Sequence, residues 1–191
     1  PEIYAEWAPN EKVALEVAAG AAISGARSIA TMKHVGVNVA ADPLMTLAYT
    51  GVNAGFVLVS ADDPGMHSSQ NEQDNRYYAK FGKMALFEPS DSQEAKDFLK
   101  EAYRISEEYD VVSILRLTTR ICHCKSLVDF TDREEVGVKE YVKNAPKYVA
   151  TPANAKVAHP KLIEKLAQLE EYSNNTPLNR IEYADKKIGI I

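Results

Sequence analysis

The side chains with chemical reach gather at a few points along the chain. Glu11 follows Asn10 at the head of an apolar-periodic run, Lys33 and His34 sit side by side, and His67 is followed by Ser68, Ser69 and Gln70. A carboxylate held away from water can share a proton near neutral pH, because burial disfavours its charged form. A Lys–His pair can meet a substrate carboxylate as cation and as hydrogen-bond donor. An imidazole beside hydroxyls and an amide can bind a polar substrate or carry a proton. Each also has a plain structural reading: the helix macrodipole alone favours a Glu in a first turn, and polar loop residues are ordinarily solvated. Cys122-His123-Cys124 suggests a metal, but on an extended segment the two sulfurs share a face and His123 points away. A closed zinc site needs further ligands, so the triplet reads as the end of a strand.

Elements that could position these groups alternate through the first two thirds of the chain. Asn10 caps a helix from Glu11 to about Ser24, stopped by Gly25. Small residues, Ala18 to Ala22, let that helix lie close to a neighbour. Ser28 to Thr31 reads as a short buried strand, followed by a polar loop through Lys33 to Gly36. Pro43 to Tyr49 is a helix with Asp42 as its cap, and Phe56 to Ser60 is a strand covered on both faces. A polar loop, Ala61 to Asp74, leads to a short helix from Asn75 to Phe81 and a strand from Met84 to Phe87. A long helix capped by Ser90 or Asp91 reaches Tyr109, and Val111 to Leu117 is the last core strand. Strands separated by helices imply an α/β fold, a mostly parallel sheet with helices on both faces. Ligands then sit beyond the carboxyl ends of the strands, at the loops Met32–Gly36, Ala61–Asp74 and Thr118–Cys124.

Beyond Val128 the pattern changes, with Pro146, Pro152 and Pro160 breaking the chain into short pieces. A helix from His159 to Tyr172 should turn Leu162, Ile163, Leu166 and Leu169 inward. The organisation expected is a domain over residues 1–127, a mainly helical connecting arm over 128–187, and the start of a truncated next domain at 188–191.

Composition excludes several function classes. The net charge is −5, without the basic footprint of a nucleic-acid or anionic-membrane binder, and no apolar run is long enough to span a membrane. Two cysteines suit a reducing cytoplasm and are too few for a ferredoxin-type cluster. No G-x-G-x-x-G, G-x-x-x-x-G-K-[ST] or G-x-S-x-G occurs, which removes the main support for dinucleotide, P-loop and serine-hydrolase readings.

Three longer strings are specific. They are Glu6-Trp7-Ala8-Pro9-Asn10-Glu11 through Ala21, Gly25 through Asn38 with Met32-Lys33-His34-Val35-Gly36, and Ala61 through Asp74 with Asp63-Pro64-Gly65-Met66-His67-Ser68-Ser69-Gln70-Asn71-Glu72-Gln73-Asp74. Over about residues 5–125 the chain resembles the pyrimidine-binding domain of the thiamine-diphosphate-dependent 2-oxoacid:ferredoxin oxidoreductases. It is nearer the alpha subunit of the indolepyruvate branch than the pyruvate branch. The resemblance implies that Glu11 engages N1′ of the cofactor's aminopyrimidine and activates it. It places Met32, Lys33 and His34 beside the cofactor, makes His34 and His67 catalytic candidates, and makes Lys33, His67 and Gln70 substrate-binding candidates. Where the pyruvate branch carries an Arg for the substrate carboxylate, this chain has Asp62 or Asp63, which argues against pyruvate.

The implied reaction is oxidative decarboxylation of an aryl 2-oxoacid, with coenzyme A taking the acyl group and ferredoxin the electrons. The family's Gly-Asp-Gly/Ser motif for Mg²⁺ and diphosphate is not found here. Mg²⁺ and iron–sulfur clusters are therefore expected elsewhere in the whole enzyme, with a beta subunit and a dimer or hetero-oligomer completing it. A non-oxidative thiamine-diphosphate decarboxylase and a non-catalytic assembly domain stand as alternatives.

Overall fold

The computed structural model describes residues 3–183 and residue 187. The start of a further domain expected at 188–191 lies outside the described residues.

Helix α1 (Glu11–Ile23) begins where Asn10 Oδ1 accepts from the Val13 amide at 3.0 Å, satisfying one of the orphan donors of the first turn. Its inward stripe, Leu15, Ala19 and Ala22, packs beside strand β1 (Ser28–Lys33). β1 runs two residues beyond the expected end, and helix α2 (His34–Val39) follows directly, so the anticipated loop at Lys33–Gly36 is a strand end and a helical turn. Helix α3 (Ala41–Thr50) shares Ala40 with α2 as a common boundary. Asp42 and Pro43 therefore fall inside its first turn, so Asp42 is not the cap and Pro43 not the first residue, as was expected of them. Strand β2 (Phe56–Asp62) continues past Ser60 because Ala61 is paired on both sides and Asp62 with Thr118.

Helix α4 (Arg76–Gly82), strand β3 (Ala85–Phe87), helix α5 (Ser92–Tyr109) and strand β4 (Ser113–Thr118) complete the core. The sheet is parallel throughout, in the order β1-β2-β4-β3, with Lys33 opposite Ala61 and Asp62 opposite Thr118. Alternate residues of β2 serve opposite faces. Phe56 and Leu58 join α1, α2 and α3 in one cluster, while Val57 and Val59 meet α5 and Leu169 in the other. The result is the expected α/β layering, with helices on both faces. β4 begins at Ser113 because Val111 and Val112 still belong to the turn that leaves α5.

Past Thr118 the chain enters a short helix, α6 (Thr119–His123), so Cys122 and His123 lie on a helical turn, contrary to the strand end expected there. The arm then descends along α5, where Lys100 Nζ donates to Thr131 Oγ1 at 2.7 Å. It crosses the amino ends of the strands, forms α7 (Ala145–Tyr148) and ends in α8 (Pro152–Asn175). α8 starts a full turn or more before the expected His159 and passes through Pro160. Thr151 caps it and Pro152 sits at its first position, where a missing N–H costs nothing. Leu162 and Leu169 are buried, but Ile163 and Leu166 stay largely exposed. The contact is a narrow seam two turns apart, and the broad apolar face expected from the sequence does not form.

Two carboxylates fasten the arm at the amino ends of the strands. Asp110 accepts from the Val52 amide at 2.7 Å and from Lys147 and Lys165 at 3.0 Å each. Glu107 accepts from Arg27 Nε at 2.8 Å and the Gly55 amide at 3.0 Å, with Lys139 Nζ 3.6 Å away. Gly25, at φ +105°, lets the Lys139 backbone approach so closely that a Cβ there would lie 2.0 Å from its carbonyl oxygen.

The Arg27 hydrogen bond, helped by the Gly55 amide and opposed by desolvation, holds the Glu107 carboxyl down to about 2. A depressed carboxylate stabilises the fold above its unfolded pKa and loses that contribution as pH falls through the folded value. Glu107→Gln should cost about 1 kcal/mol at pH 7, discounted for solvent screening. Urea unfolding of wild type and variant should converge as the pH drops from about 4.5 toward 2.

Candidate functional site

The carboxyl ends of the strands carry an interlocked set of polar groups. Asp62, 2% exposed at the end of β2, accepts from Ser60 Oγ at 2.7 Å, the Asn75 amide at 3.1 Å and Arg116 Nε at 2.7 Å. Arg116, itself 5% exposed, also pairs with Glu88. Removing one member of such a buried pair costs about 3–5 kcal/mol, because the other charge is left uncompensated. Asn75 stands before α4 but does not cap it with its side chain. Instead Nδ2 donates inward to Ser60 Oγ at 2.8 Å and to the His34 carbonyl at 3.1 Å, while Oδ1 is buried without a partner among the described residues.

His34 is fully buried. Its Nε2 lies 3.1 Å from the Asn71 carbonyl and its Nδ1 3.4 Å from the Ala61 carbonyl. The contact with the Asn71 carbonyl ties α2 to the loop after β2. This buried position corrects the solvated-loop setting considered for His34. Met32 is 8% exposed, with its side chain in the cluster under α1 and α2. Lys33 alone of that triplet reaches outward. Its Nζ donates to the Ser68 carbonyl at 3.0 Å and meets no carboxylate among the described residues.

Asp63 builds the long loop. Its carboxylate accepts from the His67 amide at 3.1 Å, the Ser68 amide at 2.8 Å, Ser69 Oγ at 2.7 Å and Thr119 Oγ1 at 2.6 Å. Those donors, Thr119 first, keep its carboxyl far below the usual carboxylate range. His67 and Gln70 are exposed on this loop. Lys33 and the loop thus come together at the mouth of the sheet, and Thr119 joins α6 to the same loop. Arg120, exposed one residue later, makes no ion pair among the described residues.

Glu11 sits at the same end of the molecule. α1 runs against the strands, since Ala22 at its far end accepts from the Ala54 amide just before β2. Glu11 is half-buried and makes no hydrogen bond or ion pair among the described residues. Its side chain lies against Gly36 of α2: a Cβ on Gly36 would meet Glu11 Cγ at 2.5 Å and Oε1 at 2.8 Å. An unspent carboxylate in a backbone-lined seat is free to take its partner from a ligand.

Sequence reasoning missed the Asp62–Arg116–Asn75 network, the loop-building role of Asp63 and the Gly36 seat. The Asp63-Pro64-Gly65 run, inside the polar loop expected at Ala61–Asp74, is the signal the sequence offers for that loop. Among the described residues no group of His, Cys, Asp and Glu is arranged to hold a metal ion, and no helix is long and apolar enough to cross a membrane.

The profile of the family described as pyruvate flavodoxin/ferredoxin oxidoreductase, thiamine diphosphate-binding, matches residues 4–188. The chain is 48% identical over 192 residues to indolepyruvate oxidoreductase subunit IorA of Archaeoglobus fulgidus, covering 100% of this chain and 31% of that one. It is 45% identical over 196 residues to the subunit of the same name from Pyrococcus horikoshii, covering 99% and 30% respectively. The chain therefore spans about a third of the length of these curated relatives. A solved 2-oxoglutarate:ferredoxin oxidoreductase from Magnetococcus marinus superposes with a TM-score of 0.61 over 86% of this chain and 36% of that one. At 12% identity, this likeness is one of fold.

Removing the Asp63 carboxylate should loosen the loop without unfolding the sheet. Asp63→Ala should raise amide exchange at His67 and Ser68 about tenfold or more while leaving β2 and β4 protected, as read by hydrogen exchange with mass spectrometry.

Proposed function

The chain belongs to the pyruvate flavodoxin/ferredoxin oxidoreductase thiamine diphosphate-binding family, and from that premise we propose that it supplies the aminopyrimidine side of the cofactor site in an aryl 2-oxoacid oxidoreductase of indolepyruvate type. The observation that carries the reading is the half-buried, unpartnered Glu11 carboxylate against Gly36. The seat fits the group: a carboxylate there can exchange a proton with a ring nitrogen, and among the described residues no cation pairs with it. Bound thiamine diphosphate supplies a nucleophilic carbon able to attack the keto carbon of a 2-oxoacid. Glu11 holds the proton at N1′. General acid–base partners of this kind contribute roughly 10²–10⁴ in rate.

Lys33 offers the substrate carboxylate a cation at the mouth of the site, with His67 and Gln70 on the facing loop. His34 acts through α2 and the loop, since its ring is buried. The preference for an aryl acid draws on the names of the relatives, both indolepyruvate oxidoreductase subunits. In the whole enzyme, coenzyme A accepts the acyl group, carbon dioxide leaves and ferredoxin takes the two electrons. Mg²⁺, the diphosphate ligands and the iron–sulfur clusters belong to regions beyond this chain or to a beta subunit. Trp7, just before α1, and Leu127, after α6, are exposed apolar side chains. Residues 1–127 form the cofactor-side domain and 128–187 the arm toward the next one. The unbridged cysteines fit a cytoplasmic enzyme.

In the full-length enzyme with its partner subunit, Glu11→Gln should cut turnover by at least about 100-fold without changing assembly. Near-normal turnover would remove Glu11 from this role. Supplied with thiamine diphosphate, coenzyme A and an acceptor dye, the wild type should reduce dye on indolepyruvate and not on pyruvate. Decarboxylation without dye reduction would instead mark a non-oxidative thiamine enzyme.

A further inference from the structure

We infer that Gly36 is a positioning residue for the thiamine reaction, its bare backbone fixing where the Glu11 carboxylate stands. The inference rests on the reading of Glu11 given above. Gly36 lies inside α2 and is buried, at a site where glycine is a poorer helix former than alanine. No positive φ is recorded there to explain the choice. What explains it is contact. A methyl group on Gly36 would lie 2.5 Å from Glu11 Cγ, 2.8 Å from Oε1 and 3.0 Å from Cδ, and these three are the nearest atoms it would meet.

The obstructed group is therefore the catalytic side chain itself. The three nearest atoms all belong to that side chain, so the Glu11 side chain must yield to alanine on α2. The rest of α2 is held in place by other bonds. Asn75 Nδ2 donates to the His34 carbonyl, and the His34 ring reaches the Asn71 carbonyl. Gly36 is thereby carried on a helix anchored to the loop after β2, and the Glu11 carboxyl is located relative to that loop as well as to α1. Glu11 has no hydrogen bond or ion pair among the described residues to hold it otherwise, so steric contact sets its position. A displacement of about 1 Å at a reacting group can cost roughly 100-fold in rate.

The test uses the full-length enzyme with its partner subunit, comparing wild type, Glu11→Gln, Gly36→Ala and the double variant. Turnover, thiamine diphosphate affinity and exchange of the cofactor's C2 proton by NMR are measured for each. Gly36→Ala should slow C2 exchange and kcat by about 10- to 100-fold, with affinity and KM within about threefold. Added to Glu11→Gln, it should slow exchange no further, because the group it displaces is already disabled. Unchanged exchange in Gly36→Ala, or an equal loss in both backgrounds, would overturn the positioning role. If Glu11→Gln itself exchanges at the wild-type rate, the reading of Glu11 fails first and the inference with it. Should Gly36→Ala not assemble, Glu11→Ala/Gly36→Ala removes the stem that the methyl strikes and should restore assembly; failure of that pair would also overturn the proposal.

Discussion

A carboxylate with no solvent exposure at the end of a central strand organises the working end of this molecule. Asp62 binds Arg116 from β4, the backbone of Asn75 and the hydroxyl of Ser60. An ion pair so deeply buried adds little net stability compared with apolar residues of the same volume, yet breaking it is expensive. Its effect is geometric. It locks β2 to β4 and sets the start of α4. Through Asn75 it also reaches the His34 carbonyl and thus α2. The seat against which Glu11 lies is the far end of that chain of contacts.

The molecule divides its polar interactions between the two ends of the sheet. At the amino ends, Glu107 and Asp110 collect Arg27, Lys139, Lys147 and Lys165, so that the arm is strapped down. At the carboxyl ends, buried Asp62 and Arg116 pair with each other, while Glu11, Lys33 and Arg120 are left without an opposite charge among the described residues. A stable scaffold needs paired charges; a binding surface needs unspent ones. The parallel sheet separates the two because each strand delivers its loops to the same side.

Much of this was legible in the chain. Asn10 followed by an apolar period located α1 and placed Glu11 in its first turn; Ser90 or Asp91 located the start of α5, and the structure makes Asp91 the cap. The string Phe56–Ser60, with four apolar residues in succession, pointed to a strand covered on both faces. The errors have physical causes too. Lys33–Gly36 contains polar residues and a glycine, and by composition it is a loop. It is a strand end and a helix because the His34 ring lies against two distant carbonyls and Gly36 leaves room for the side chain of Glu11. Pro160 was read as a break, but tertiary packing of Leu162 and Leu169 carries α8 through it.

The sequence by itself determined the α/β layering, the order of its elements, the family resemblance and the candidacy of Glu11, since periodicity and short motifs are local properties. Only the tertiary structure decided which candidates face outward. It buried His34 and the side chain of Met32, left Lys33, His67 and Gln70 at the surface, and gave Asp62 and Asp63 different work although they are neighbours. Such choices depend on pairings between residues tens of positions apart, and on whether a glycine in one helix leaves room for a carboxylate in another. Those distances exist only once the chain has folded.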